Sequence, residues 1–231
     1  MLNELTATPL FGIGLTLVVY VVAQKIYIRF RSLFLNPVAV TILMIIVLLL
    51  LLEIPYGSYR KGGDMILFLL GPSVVALALP LYRKRSEINR NRWPILAGVF
   101  CGAAGSIASA CGIAWVLGAS REVVWSISPK SVTTPIAIGL SEQVGGVVEL
   151  TAAIVVVTGC LGAICGPEFC RKIGLRSETA IGLAVGTAAH GIGTARMLEV
   201  SRLGGAVAGL AIGLNGLMTA FLLPLLFLIF G

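Results

Sequence analysis

Long apolar runs separated by short basic connections fill the first half of the chain, and the pattern predicts membrane-spanning helices. Pro9 to Val22 is followed by Lys25, Arg29 and Arg31. Pro37 to Leu52 opens on the start signal Asn36-Pro37 and is closed by the breaker cluster Pro55, Gly57, Gly62 and Gly63. Asp64 to Leu81, interrupted at Gly71-Pro72, leads into the most basic loop, with Arg83, Lys84, Arg85, Arg90 and Arg92. Trp93 to Leu117 begins with an interfacial Trp. These four read as ordinary crossings of a hydrocarbon layer that needs roughly 20 apolar residues per helix.

The second half is less regular. Arg121 to Ile127 is short and amphipathic and Ile136 to Gln143 is shorter than a span, with Ser128-Pro129-Lys130-Ser131-Val132-Thr133-Thr134-Pro135 between them. The prolines remove backbone donors and block helix propagation, and hydroxyls and an ammonium surround them. Gly145 to Cys165 is a clear span, followed by Arg171, Lys172 and Arg176. Thr179 to Val200 is expected to run as two short pieces through a second polar stretch, Gly186-Thr187-Ala188-Ala189-His190-Gly191-Ile192-Gly193-Thr194. Gly204 to Phe230 is the last span, with Pro224 late in it, so broken and unbroken helices alternate. Irregular backbone at membrane depth is stable only where protein or a wet cavity satisfies it, so each break reads as half of a solute site.

Composition sharpens the class. The 231 residues are 58% hydrophobic and 12% charged, with a mean hydropathy of +1.01, against about 25% charged residues in a soluble domain. The fold class expected is all-α: a polytopic integral membrane protein with discontinuous or re-entrant helices and about seven to eight membrane segments. Residues 1–231 are expected to form a single transmembrane domain, 1–118 holding four N-terminal segments and 119–231 those with the two polar breaks. A net charge of +7 would suggest nucleic acid in a soluble chain, but these positives lie in short loops, where they set orientation. The basic loops near residues 25–31, 83–92 and 171–176 share the cytoplasmic side only if the N-terminus is outside and the segment 121–143 enters and returns on one side. The opening Met-Leu-Asn-Glu has no basic residue, so the first helix is expected to be retained.

Glycines four apart, Gly98 and Gly102, Gly162 and Gly166, Gly182 and Gly186, and Gly205, Gly209 and Gly213, each line one helix face and predict close packing rather than chemistry. Ile136 to Gly146 can be laid against Ala195 to Gly205: a short helix, then Gly-Gly, then a long span. Such a weak repeat fits the paired discontinuous helices of transporters.

Lys130 is the first chemical candidate, because a lysine within an apolar membrane segment is costly and marks function unless it snorkels to the interface. With Ser131, Thr133 and Thr134 and the N-terminus of the short helix that follows, it describes an anion site. His190, whose ordinary pKa lies near neutrality, could bond a carboxylate or relay a proton, or be satisfied by a neighbouring carbonyl. Arg196 offers a second carboxylate clamp, or an interfacial charge. Glu142, Glu149 and Glu199 fall near span ends, and Glu149 would need protonation or a partner in Lys130, Arg196 or Arg202. Asn215, mid-span, reads as interhelical glue. The five cysteines read as small buried apolar side chains, and no cysteine has a histidine at metal-ligand spacing, so no metal or cofactor is expected. With one histidine, no Ser-His-Asp triad can be assembled, and no enzyme is expected.

Leu70 to Tyr82 (LGPSVVALALPLY), Pro129 to Ala137 (PKSVTTPIA), the Gly145-Gly146 pair and Gly186 to Arg196 (GTAAHGIGTAR) resemble the signatures of the LrgB/CidB family over nearly the whole chain, and the length fits bacterial members including the YohK type. The resemblance implies a bacterial inner-membrane protein paired with a small LrgA/CidA-type membrane partner. It also implies a role described as antiholin-like, acting on murein hydrolase activity and autolysis. Members, including the plant plastid glycolate/glycerate carrier, are associated with transport of small monocarboxylates such as pyruvate, glycolate and glycerate. The matched positions carried over as site residues are Lys130, Ser131, Thr133, Thr134, His190, Thr194 and Arg196. Val147-Val148-Glu149 departs from relatives that carry a proline after Gly-Gly, which leaves Glu149 without family support. The implied chemistry is a carrier of a small carboxylate anion in a lipid bilayer, assembled as a homo-oligomer and possessing no nucleic-acid partner, in which His190 orients the solute or carries a proton.

Overall fold

The structure, a computed structural model, describes residues 8–30, 35–69, 72, 75–76, 78–83 and 85–230. They are helical and fall into two compact units, one ending at Ala76 and the other beginning at residue 77. The interruption expected at Gly71-Pro72 involves residues outside those described, as do Arg31, Lys84 and the N-terminal Met1 to Glu4.

The first unit contains α1 (Pro9–Phe30), α2 (Pro37–Leu51) and α3 (Tyr56–Phe68). Asn36 caps α2, its Oδ1 accepting from the Val38 and Ala39 N–H groups at 3.0 and 3.2 Å. The breaker cluster is corrected: Gly57, Gly62 and Gly63 lie inside α3. The reason is packing, since α1 and α3 cross at Gly12 and Gly62, where a Cβ on either would strike the backbone of the other. Thr16 Oγ1 and Tyr59 Oη, 3.0 Å apart, reinforce the crossing.

The second unit contains α4 (Ala78–Arg83), α5 (Arg85–Arg90), α6 (Arg92–Val116), α7 (Arg121–Ile127), α8 (Thr134–Gln143), α9 (Val148–Lys172), α10 (Glu178–Val200) and α11 (Arg202–Phe230). Among the described residues, α1, α6, α9 and α11 are long and apolar enough to cross a membrane. The apolar helix α2 is shorter, at 15 residues.

A straight helix of the 23 residues of α10 would be about 34 Å long. Yet Ser201 Oγ, just past its end, donates to Glu178 Oε2 at its start over 2.7 Å. Met197 packs with Ile181 and Val185, and Gly193 lies against Val185 and Ala189. The helix therefore turns back on itself at Ala189 and His190, whose φ of 40° and ψ of −135° reverse the chain. The two short pieces expected over 179–200 are present, and they fold back on each other as a hairpin with arms 178–189 and 191–200.

α7 and α8 form a second hairpin. Trp125 packs with Leu140 and Val144, and Ser126 Oγ accepts from the Val147 N–H at 2.7 Å, so the segment 121–143 folds back on itself. The hairpins enter from opposite ends. Gly98 and Gly102 of α6 face Leu183 and Thr187 in the first arm of α10, which places Arg92, Arg171, Lys172, Arg176 and Arg202 at one basic end. At the other, far end Arg121 Nη2 donates to Phe230 O at 3.0 Å.

The glycine faces explain how closely these helices lie. Gly162 and Gly166 face Ala189 and Val185, and Gly182 and Gly186 face the backbone of Gly204 and Ala208, whereas Gly213 meets nothing within 4 Å. Gly186→Val should therefore cost at least the roughly 1–3 kcal/mol of an overpacked core and remove the monodisperse peak in size-exclusion chromatography, while Gly213→Ala should elute as wild type. Equal elution of the two variants would contradict this packing. The weak repeat also acquires a shape: each hairpin's second arm is followed by a long helix, α9 or α11, with a glycine pair just before the first and in the opening turn of the second.

Candidate functional site

The two hairpin tips meet inside the second unit. Asn215, buried midway along α11, donates both amide hydrogens to carbonyl oxygens, one to Ser131 at 2.9 Å and one to Thr187 at 3.0 Å. Ser131 belongs to the first tip and Thr187 precedes the second, so one side chain ties both breaks together. The sequence reading of Asn215 as interhelical glue is accurate in kind. A second link passes through α9: Val155 packs on Val132 of the first tip, and its carbonyl accepts the Nε2–H of His190 at 3.0 Å. A carbonyl can only accept, so Nε2 carries the proton. The buried imidazole lies over Gly159, where a Cβ would collide with it.

Lys130 occupies the first tip. Its Nζ donates to Ser106 Oγ and Ser131 Oγ, each at 3.0 Å, and those two hydroxyls are 2.8 Å from one another. Both partners are neutral, and no carboxylate pairs with Lys130 among the described residues. The ammonium is half-buried in an open cleft of about 520 Å³. One wall is α6, from Gly98 through Gly102 and Gly105 to Ser106 and Ser109; the opposite wall is the first arm of α10, with Ala180, Leu183, Ala184, Thr187 and Ala188. Thr187 Oγ1 and Asn215 Oδ1 are buried without hydrogen-bond partners.

Of the residues singled out by sequence, Lys130 and Ser131 line this cleft. Thr133 and Thr134 are half-buried where α8 begins, and the Thr133 side chain makes no capping bond. His190 is fixed to α9, and Thr194 is buried on the returning arm with Oγ1 unpartnered. Arg196 lies further along that arm, its guanidinium bonded to Glu199 Oε2 at 3.0 Å and Glu168 Oε1 at 3.1 Å. Glu149 is exposed in the first turn of α9, at the unit's surface. Cys101 and Cys165 are exposed as well, so burial accounts for Cys160 and Cys170 only, with Cys111 between. Ser106, Ser109 and Thr187 were not singled out as ligands: small hydroxyl residues among glycines and alanines look like packing until the hairpin brings Lys130 to them.

The sequence profile of the LrgB-like family matches residues 16–229. The chain belongs to this family. The LrgB-family protein is 37% identical to YwbG of Bacillus subtilis over 212 residues, 92% of this chain and 94% of that one. It is 34% identical over 221 residues to the holin-like protein CidB of Staphylococcus aureus strain Mu50, covering 96% of each chain. Against the holin-like protein CidB of Staphylococcus epidermidis strain RP62A the identity is 32% over 216 residues, 94% of each. No solved structure matches this LrgB-family chain at a significant level. Its apolar helices and these relatives make it a membrane protein.

Proposed function

We propose that this LrgB-family protein is a secondary carrier of small hydroxy- or keto-monocarboxylates in the bacterial inner membrane, and not an enzyme. The observation that carries the reading is Lys130: an ammonium held by two hydroxyls and no carboxylate, at the floor of a cleft of about 520 Å³. An ion in a membrane protein is costly unless paired, so an unpaired cation in a cavity within the usual 300–1,000 Å³ of ligand sites is suited to an anion. Ser106 and Ser131 supply hydroxyls for the carboxylate and the adjacent oxygen. His190, through Val155, holds the second tip in position, with proton relay as its further role; Thr133, Thr134 and Thr194 add hydroxyls around the tips, and Arg196 stabilises the returning arm through Glu168 and Glu199. Oppositely directed hairpins meeting mid-molecule are an arrangement by which carriers alternate access. The positive charges Lys25 and Arg29 that close the first span favour a cytoplasmic end there and so an N-terminus outside.

Labelled glycolate, pyruvate and glycerate should each be offered to proteoliposomes carrying the purified protein, with saturable uptake of at least one expected. Uptake equal to that of empty vesicles for all three would overturn the reading. The holin-like designation of the staphylococcal relatives favours a second one, a homo-oligomeric regulator of autolysis acting with an LrgA/CidA-type partner. That role would depend on the glycine faces more than on Lys130, so a lysis phenotype unchanged by Lys130→Ala would favour it.

A further inference from the structure

The cleft at Lys130 lies between α6 and the first arm of α10 and extends from Ser106 and Thr187 toward Gly98 and Ala180, on the side of the basic end. The far end is shut. There Trp125 joins Ile107, Leu140, Val144 and Leu223 in a buried cluster and meets Phe227 edge-on, with ring centroids 5.1 Å apart. The repeat relates the two ends. With Ile136 laid on Ala195, the cleft wall Ala180, Leu183, Ala184, Thr187 and Ala188 falls on Arg121, Val124, Trp125, Ser128 and Pro129 of the oppositely directed hairpin. The five residues that line the open cleft thus have counterparts on the arm that closes the far end, and Ala184 corresponds to the Trp125 that fills it.

We propose that the far end is a second vestibule for the same small carboxylate, lined by the Arg121, Val124, Trp125, Ser128 and Pro129 face, and that Trp125 seated against Phe227 is its gate. This rests on the carrier reading. Arg121 stands at its mouth, where a positive charge attracts an incoming anion. Opening swings the outer part of the first hairpin from α11 about its tip, where Ser131 keeps the Asn215 amide; closure of the first arm of α10 over Ala184 shuts the basic end in the same state. Two packings of a bistable element, each exposing Lys130 to one side, account for alternating access without moving the lysine far.

The test uses single cysteines in a background whose native cysteines are replaced, reconstituted in vesicles of known sidedness and treated with a membrane-impermeant maleimide. Ala184→Cys should react from the basic side and Val124→Cys from the opposite side. Adding Trp125→Ala should raise the Val124→Cys rate about tenfold and lower that of Ala184→Cys, as a shift between two states demands. Protection of Val124→Cys from both sides while glycolate, pyruvate or glycerate uptake persists would overturn the vestibule alone, as would its reaction from the same side as Ala184→Cys. Absence of uptake in the unmodified protein would overturn the carrier reading, and the vestibule with it. In the native chain, hydrogen exchange gives a second measure free of cysteine replacement: the transported acid should change exchange in Arg121–Ile127 and in the 178–189 arm in opposite directions, and equal changes would count against the gate.

Discussion

Lys130→Ala should lower saturable carboxylate uptake by about a hundredfold or more while leaving the thermal midpoint in detergent close to wild type. Truncating one partner of a buried charge pair costs roughly 2–5 kcal/mol, and every 1.4 kcal/mol is tenfold in affinity. Stability survives because the substitution strands nothing: Ser106 Oγ and Ser131 Oγ remain bonded to each other at 2.8 Å, and a half-buried ammonium is removed from an apolar surround. Lys130→Arg should restore charge without restoring uptake, since the wider guanidinium does not fit a seat defined by two serine hydroxyls. The check is uptake and thermal melting on the same preparations. Wild-type uptake in Lys130→Ala would remove the anion site from this tip.

Asn215→Leu should have the opposite signature, a large loss of stability that takes uptake with it. Its amide links the carbonyls of Ser131 and Thr187 to α11, and each carbonyl left buried without a donor costs about 1–3 kcal/mol. Asn215→Asp is the sharper control, because it keeps the shape and loses both donors. Melting at the wild-type midpoint in the aspartate variant would show that these bonds carry no weight.

Much of this was legible in the residues themselves. Proline and hydroxyls from Ser128 to Pro135 announced a helix break, and the glycine-rich stretch around His190 announced the other. The return of 121–143 followed from charge, because basic loops otherwise fell on opposite sides. The return of 178–200 did not, since 23 residues match a crossing in length and no charge pattern opposes one. Only the backbone at His190 and the contact between Ser201 and Glu178 reveal it. Ser106 was hidden for a different reason: its role is fixed by Lys130, 24 positions away, and nothing local distinguishes it from its small neighbours. Glycines four apart were read well where two helices face each other and poorly at Gly213, where periodicity cannot tell a packed face from an open one. Gly57, Gly62 and Gly63 show the same ambiguity from the other side, having been read as punctuation where Gly62 is a contact.

Asn215 also bears on how the protein is made. It is borne on α11, which leaves the ribosome after both hairpins, to which the two peptides it satisfies belong. Until α11 enters the bilayer, neither tip has its donor, and polar backbone has no stable place in lipid. Biogenesis therefore closes the centre only after both hairpins are made: they wait near the interface or in a protected space, and the arrival of one later amide completes both at once.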